Sequence, residues 1–487
     1  MPVSMNRFQR IGSRVATEVL LRVGPALAHS PTLSRSIAQV IEKRIRAHYE
    51  RHKPFSPLPI GVQEERFMLW LILLRTVERA LKEDRLAPSA LRGLVSLLIE
   101  RLILEGGDRR AADRFREHYG VNPPALLTIS PGKACNLHCP GCWADAGPGA
   151  EKLPWEMVDR IITEAKELWG ARFFVLTGGE PLAYRSDGHD VIDLCAKHRD
   201  CFFMMYTNGT LITEEVAARL AEMGNLTPAV SLEGWRETTD ARRGTGVFDQ
   251  VAEAMDRLRR YGVLFGVSLT ATRHNYKEIL SDAFVDYCFQ EKGALYGWIF
   301  QYMPIGRSIT LDLMPTPEQR LWMWKRIRQL ARERHLFFAD FWNQGTLTEG
   351  CIAAGRGTGG GYLYIDWNGA VTPCVFLPYS PVNIKDVYAR GGTLNDVWAE
   401  PFFASIREWQ LAYRQAKGNW MMPCPNRDHH ADLRRLIAVH EPEPIDDNAR
   451  EALLDPEYAR GLASYDAAYQ SVTDPLWQQE YLGELAS

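Results

Sequence analysis

The sequence predicts an α/β protein built on a partial (β/α)6 barrel of the TIM type, preceded by an all-helical domain and followed by a hairpin-plus-helix domain. Three observations carry this. From Ala125 onward, short apolar runs of strand length alternate with amphipathic helical stretches, the pattern of repeated βα units and a parallel sheet. The segments richest in Gly, Cys and Arg fall just after those strands, where parallel α/β folds place their sites. The rhythm also changes on both sides: helical spacing alone before about 122, and a Gly-rich loop with a hairpin after about 340.

Composition narrows the class before any motif is read. The chain has 487 residues, 46% hydrophobic and 24% charged, with a formal net charge of −3. That length exceeds one core, and the expected division is 1–122, 123–340, 341–440 and 441–487. The near-neutral balance argues against a nucleic-acid partner recruited by bulk charge. No run reaches membrane-span length, and Met1–Ser30 lacks the apolar core and cleavage site of a signal peptide. The nine cysteines are clustered, which points to metal binding in a reducing, cytoplasmic setting.

In order, helices are expected at Val15–Ala28, Ser34–Arg51, Gln63–Leu81 and Pro88–Leu104, the last closed by Gly106-Gly107. The run Phe67–Leu74 is apolar on every face, so it reads as the centre of a small bundle or as a surface for an apolar substrate or membrane. Strands follow at Leu126–Ser130, Arg172–Thr177, Cys201–Thr207, Ala229–Leu232, Val263–Thr270 and Trp298–Met303. Helices at Pro154–Trp169, Val191–His198, Glu214–Met223, Phe248–Tyr261 and Tyr276–Gln290 fit between them, with Pro317–Arg334 after the last strand. Tyr362–Asp366 and Ala370–Pro373 form a hairpin turning at Trp367-Asn368-Gly369. A helix over Thr393–Trp409 and a polar helical tail beyond 440 complete the chain.

The chemistry centres on Cys135-Asn136-Leu137-His138-Cys139-Pro140-Gly141-Cys142. Three thiolates on one tight loop suit an iron–sulfur cluster, and the loop offers no fourth cysteine, so one iron keeps an open position. The competing reading is a structural zinc site with His138 or a distant residue as fourth ligand, in a binding or scaffold protein without turnover. The C-x3-C-x2-C spacing resembles the radical S-adenosylmethionine enzymes, and that family's other marks follow in order. These are Thr177-Gly178-Gly179-Glu180-Pro181, Tyr206-Thr207-Asn208-Gly209, Val230-Ser231-Leu232-Glu233, Arg242-Arg243-Gly244 and Gln301 to Arg307. One departure is Gly141, where the family usually has an aromatic residue. Trp143, one place later, is a candidate to cover the cluster instead.

The resemblance implies roles for these residues. Cys135, Cys139 and Cys142 would hold a [4Fe–4S] cluster that binds S-adenosylmethionine. Gly178, Gly179 and Glu180 would meet its methionine amino group. Ser231 and Glu233 would meet the ribose or carboxylate, with Arg243, or equally Arg242, pairing with the carboxylate. Asn208 and Thr270 would line the same rim, with Ser268 an alternative to Thr270, and Met303-Pro304 would lie beside the adenine. Downstream, Cys351, Cys374 and Cys424 resemble the auxiliary-cluster extension called SPASM or Twitch, which implies a second [4Fe–4S] cluster. Its fourth ligand is open among Asp428, His429, His430 and none from the protein, with His429 carried forward as the candidate. Cys195, Cys201 and Cys288 read as core thiols.

By the same resemblance the enzyme reductively cleaves S-adenosylmethionine to a 5′-deoxyadenosyl radical, which takes a hydrogen atom from a substrate in the barrel mouth. The substrate is left open among a peptide, a lipid or isoprenoid and a small molecule. A low-potential donor such as ferredoxin or flavodoxin is implied, and the Phe67–Leu74 run is compatible with peripheral membrane contact.

Overall fold

The computed structural model describes residues 31–95 and 109–483. The expected helix at Val15–Ala28, the end of Pro88–Leu104 and Gly106-Gly107 lie outside those residues. Before the barrel, α1 (Pro31–His52), α2 (Ile60–Lys82), α3 (Pro88–Val95) and α4 (Arg109–Tyr119) agree with the all-helical reading.

The barrel follows with β1 (Leu126–Ile129), α5 (Trp155–Trp169), β2 (Phe173–Leu176), α6 (Val191–Lys197), β3 (Phe202–Thr207) and α7 (Glu214–Met223). It continues with β4 (Leu226–Leu232), α8 (Arg236–Arg243), α9 (Val247–Arg260), β5 (Gly266–Ala271), α10 (Asp282–Asp286), β6 (Tyr296–Gln301), α11 (Pro317–Arg334) and β7 (Phe338–Asp340). The hairpin strands are β8 (Tyr362–Ile365) and β9 (Ala370–Thr372). Helices α12 (Leu394–Trp398), α13 (Pro401–Gln415), α14 (His430–His440), α15 (Asp447–Leu454) and α16 (Pro456–Leu476) close the described chain.

Period-two alternation sorts each strand into two faces. Phe174, Leu176, Phe203, Met205, Val230, Leu232, Val267, Leu269 and Ile299 are buried in the main core under the helices. Their neighbours Phe173, Val175, Met204, Tyr206, Ser231, Ser268, Thr270, Trp298 and Phe300 face the barrel interior instead. The helices supply the matching stripes. On α9, Val247, Val251, Ala254, Met255 and Leu258 are buried at helical spacing. Each fully buried Val, Leu or Met side chain of this kind contributes about 1.5–3 kcal/mol.

Among the described residues, one sheet holds ten strands in the order Val382–Asn383, β9, β8, β1, β2 and on to β7. All neighbours from β1 to β7 are parallel. Two features exceed the six-unit expectation. β7 adds a seventh parallel strand on β6, with Ile299 opposite Asp340. The hairpin joins the other edge, since β8 pairs parallel to β1 with Leu127 opposite Leu363. The sheet thus runs on across the expected boundary at 340. Three residues, one of them Asp, give no strand periodicity, and a parallel pairing between distant segments leaves no local signal.

Other differences are local. The helix expected at Tyr276–Gln290 is a turn followed by α10 and a π-helical turn at Tyr287–Glu291, because Ser281 caps a fresh start by accepting from Phe284 N at 3.3 Å. The helix expected at Thr393–Trp409 is broken into α12 and α13 at Pro401, which has no N–H to continue α12. The apolar run on α2 is only half-buried: Leu71 and Ile72 are buried, while Phe67 stacks on Tyr49 of α1 with ring centroids 4.5 Å apart.

The helices before the barrel position the site from below. Ala80 of α2 and Ala90 of α3 pack with Phe202, Leu264, Leu295 and Tyr296 at the amino ends of the strands. Ala87 N donates to Gly262 O at 2.8 Å, and Tyr296 Oη lies 2.8 Å from Thr227 Oγ1 in the same layer. This plug closes the barrel floor.

Candidate functional site

At the carboxyl ends of β1 to β6 lies a cavity of about 240 Å³. Cys135, Cys139, Cys142, Gly178, Gly179, Asn208, Ser231, Arg243, Thr270 and Met303 all line it. Sequence reasoning placed these residues on one rim, and the fold brings them together there. Trp298, Phe300, Tyr206, Phe341, Phe376 and Tyr362 wall its deeper part.

The cysteine loop is held by two arginines. Arg307, after β6, donates from Nη1 to Cys139 O at 2.7 Å and from Nε to Asp145 Oδ1 at 3.0 Å, and its third nitrogen reaches Ala146 O. Its own N–H donates to Cys142 O at 2.9 Å. Arg242, at the end of α8, donates to the carbonyls of Pro140 and Gly141, each at 3.3 Å. Arg307 appeared in the sequence only as the last residue of a matched segment. A cation reaching back over many residues to backbone carbonyls leaves no spacing to read.

Gly178 and Gly179 serve a tighter purpose than ligand approach alone. A Cβ at Gly178 would lie 2.7 Å from Gly132 O, and one at Gly179 would strike the carbonyls of Lys133 and Ala134. Gly179 N donates to Gly132 O at 3.1 Å and Glu180 N to Ala134 O at 2.8 Å, so the β2 loop is bonded to the approach of the cysteine loop. Glu180 is buried and its carboxylate is engaged internally. Oε1 accepts from Leu182 N (3.1 Å) and Thr207 Oγ1 (2.7 Å), and Oε2 from Asn208 N (2.7 Å). Burial pushes its carboxyl upward against those hydrogen bonds. Asn208 in turn donates to Asn136 Oδ1 at 2.9 Å, tying β3 to the cysteine loop.

Glu233 is fully buried and one of its oxygens is crowded. Oε1 accepts from Arg242 Nη1 at 2.6 Å and from Arg243 Nε and Nη2 at 2.9 and 2.6 Å. Oε2 has no partner. Although burial opposes it, Glu233 holds the Arg243 guanidinium above its ordinary range. Two arginines beside an unsatisfied acid oxygen fit a ligand with both a carboxylate and donor groups, as S-adenosylmethionine has. Burial pushes the Cys135 thiol up to about 11, so it ionises when a metal takes it. Among the described residues, no three His, Cys, Asp or Glu side chains are grouped to hold a single ion. A cubane does not require that, because its thiolates bind separate irons. The loop fits the cluster.

In the second cysteine set Cys374 is buried, and Cys351 and Cys424 are partly buried. Burial pushes Cys351, Cys374 and Cys424 each up to about 12. Tyr362, on the cavity wall, donates its hydroxyl to Cys374 Sγ at 2.9 Å, so one side chain touches both the cavity and this set. Of the open fourth-ligand candidates, Asp428 is fully engaged and each histidine gives one ring nitrogen to a backbone carbonyl. Asp428 forms a fully buried ion pair with Arg320. His429 Nε2 lies 2.8 Å from Met422 O, with its ring against Trp409 and Tyr413. His430 Nδ1 lies 3.2 Å from Asn426 O, and its Nε2 is unpartnered. Cys195, Cys201 and Cys288 are buried in the core.

Residues 129–282 match the family profile described as Radical SAM superfamily, and residues 357–426 match SPASM, an iron–sulfur cluster-binding domain. Mycofactocin maturase MftC of Mycobacterium tuberculosis (strain ATCC 25618 / H37Rv) is 30% identical over 305 residues, 60% of this chain and 75% of the relative. AdoMet-dependent heme synthase of Methanosarcina barkeri is 26% identical over 296 residues, 55% and 81% of the two chains. The solved structure of anSMEcpe with bound AdoMet and Cp18Cys peptide is similar at a TM-score of 0.51 and 18% identity, covering 73% of this chain and 98% of that one. Streptococcus suis SuiB bound to precursor peptide SuiA gives 0.50 at 20% identity, covering 61% and 70%.

Proposed function

Since the chain belongs to the radical S-adenosylmethionine superfamily and carries its SPASM iron–sulfur extension, we propose that it is a maturase acting on one uncharged side chain of a peptide. The enzyme class stands with the family, and the alternative of a zinc scaffold without turnover is set aside by it. A [4Fe–4S] cluster held by Cys135, Cys139 and Cys142 would supply the one-electron reductive cleavage of S-adenosylmethionine and the hydrogen-atom abstraction that define the family.

The protein's own residues do the rest. Cys135, Cys139 and Cys142 hold the cluster, on a loop fixed by Arg307 and Arg242. Arg243 and Glu233 orient the methionine end, with Ser231, Thr270 and Met303 along the nucleoside. Asn208, set by Glu180, closes the rim. Cys351, Cys374 and Cys424 hold the auxiliary cluster. His429 can bind iron through Nδ1 while Nε2 keeps Met422 O, and His430 through its unpartnered Nε2, so we assign the fourth position to one of these two histidines or to no protein side chain. The plugged floor and aromatic walls keep water from the deeper cavity, which protects a radical from quenching.

The distribution of charge in the cavity carries the substrate reading. Its charged side chains, Arg242 and Arg243, both sit at the cysteine-loop end, and the deeper wall is aromatic and neutral. An aromatic or aliphatic side chain projecting from a peptide fits that wall, whereas a polycarboxylate would find no cation there. SuiB and anSMEcpe, which share this fold, are solved with peptides bound.

The test uses full-length protein, reconstituted anaerobically with iron and sulfide and reduced with dithionite. Two filled cubanes give about eight iron atoms per chain. Cys139→Ala is expected to halve that and abolish 5′-deoxyadenosine, whereas Cys424→Ala keeps the nucleoside product. Short peptides differing only in a central residue are then added. Phe, Tyr, Leu or Val centres are expected to raise 5′-deoxyadenosine and change the peptide's mass, and Asp or Lys centres to do neither. Stimulation by none of them removes the peptide reading and leaves the reaction class standing.

A further inference from the structure

Gly141 is where the cysteine loop departs from its family's usual aromatic residue, and the structure gives a physical reason. Its φ is +62°, and a Cβ there would lie 2.7 Å from Cε2 of the Tyr302 ring and 3.4 Å from Cζ and Oη. Such contacts are too short for any side chain to share the space. The slot beside Gly141 is therefore filled by a ring delivered from the end of β6.

That ring is anchored. Tyr302 is 2% exposed, its N–H donates to Ala271 O at 2.7 Å, and its hydroxyl donates to Ser308 O at 2.8 Å. Ser308 follows Arg307, which holds the carbonyls of Cys139 and Cys142. Tyr302 lines the cavity together with Cys139, Gly141, Cys142, Arg242 and Met303. Trp143, the candidate cover suggested by sequence, lines the same cavity and packs in one cluster with Cys135 and Cys142. Its ring makes edge contacts with Tyr364 of β8 at 5.9 Å and Phe376 at 6.2 Å.

We propose that Tyr302 is the aromatic wall of the S-adenosylmethionine site in this chain, packing on the cofactor's adenine, and that Gly141 is glycine because this ring occupies its side-chain space. The pair is exclusive: one ring for one slot, carried by β6 instead of by the cysteine loop. Base–aromatic packing of this kind is worth about 1–3 kcal/mol, so removing the ring weakens binding by about tenfold or more.

Equilibrium dialysis of S-adenosylmethionine against anaerobically reconstituted full-length protein tests this, with iron counted in every sample. Tyr302→Phe is expected to bind within about twofold of the parent, since the ring remains. Tyr302→Ala is expected to keep its iron and bind about tenfold more weakly. Gly141→Ala is expected to weaken binding in the parent and to cost markedly less in the Tyr302→Ala background, where its Cβ has room. Parent-like affinity in Tyr302→Ala overturns the proposal. So does additivity of the two substitutions, or loss of iron in Tyr302→Ala or Tyr302→Phe, which would make the residue a pin for the loop and nothing more.

Discussion

Glu180 is the residue on which the rim depends most, because both its oxygens are spent on backbone and hydroxyl donors from two neighbouring loops. Replacing it with Gln turns one acceptor into a donor facing Leu182 N–H and Thr207 or Asn208 N–H, and leaves a buried group unsatisfied. Glu180→Gln is expected to destabilise the protein by about 1–3 kcal/mol in urea unfolding of the apoprotein, without removing any cluster ligand. An unchanged midpoint would show that those hydrogen bonds are not formed in solution. The Gly-Gly-Glu-Pro segment was legible because it follows a strand and the cysteine loop. Its division of labour was not, since whether a carboxylate faces a ligand or its own loop depends on what lies across the space.

At the scale of elements, the β8–β9 hairpin was legible from alternation and from Trp367-Asn368-Gly369, where Gly369 has a φ of +87°. Its turn holds a buried acid. Asp366 Oδ1 accepts from Asn368 N and Ala370 N, each at 2.8 Å, and burial outweighs those bonds to push its pKa up to about 6. A carboxyl raised on folding binds its proton more tightly in the folded state. Its stabilising contribution is therefore full below the unfolded value near 4 and is lost as pH rises through about 6. Asp366→Asn cannot ionise and is expected to lack that loss. Thermal melts at pH 4.5, 5.5 and 7 should show the parent falling relative to the variant across this range, and parallel curves would refute it. The breaks at Ser281 and Pro401 were readable in principle as a cap and a helix start. Apolar periodicity masked them by running through both.

Over the whole molecule, the segment after 440 does what its polar sequence did not announce. Arg320 of α11 pairs with Asp428 in full burial and lies over the ring of Tyr469 on α16, 3.8 Å from its centroid. Tyr469 Oη is 3.1 Å from Asn343 Oδ1, and Tyr458 Oη donates to Pro304 O at 3.0 Å. The tail thus joins the barrel edge to the segment carrying Cys424, whose N–H donates to Asp428 Oδ2 at 3.1 Å. Arg320→Ala leaves a buried carboxylate unpaired and is expected to cost about 3–5 kcal/mol in urea unfolding. Iron analysis of the same variant should fall toward that of one cluster. Retention of both stability and iron would mean the pair carries no load.

Sequence by itself determined the reaction class and the parallel architecture. Three cysteines on one loop, glycines and arginines after strands, and apolar period two are local patterns, fixed by covalent spacing. Only the tertiary structure decided that β8 closes on β1, that α2 and α3 plug the floor, that Arg307 clamps the cysteine loop, and that Tyr302 fills the space Gly141 leaves. Each of those is a contact between segments far apart in the chain. Such contacts are selected by which surfaces fill one another once the strands have paired, and no window of neighbouring residues encodes that choice.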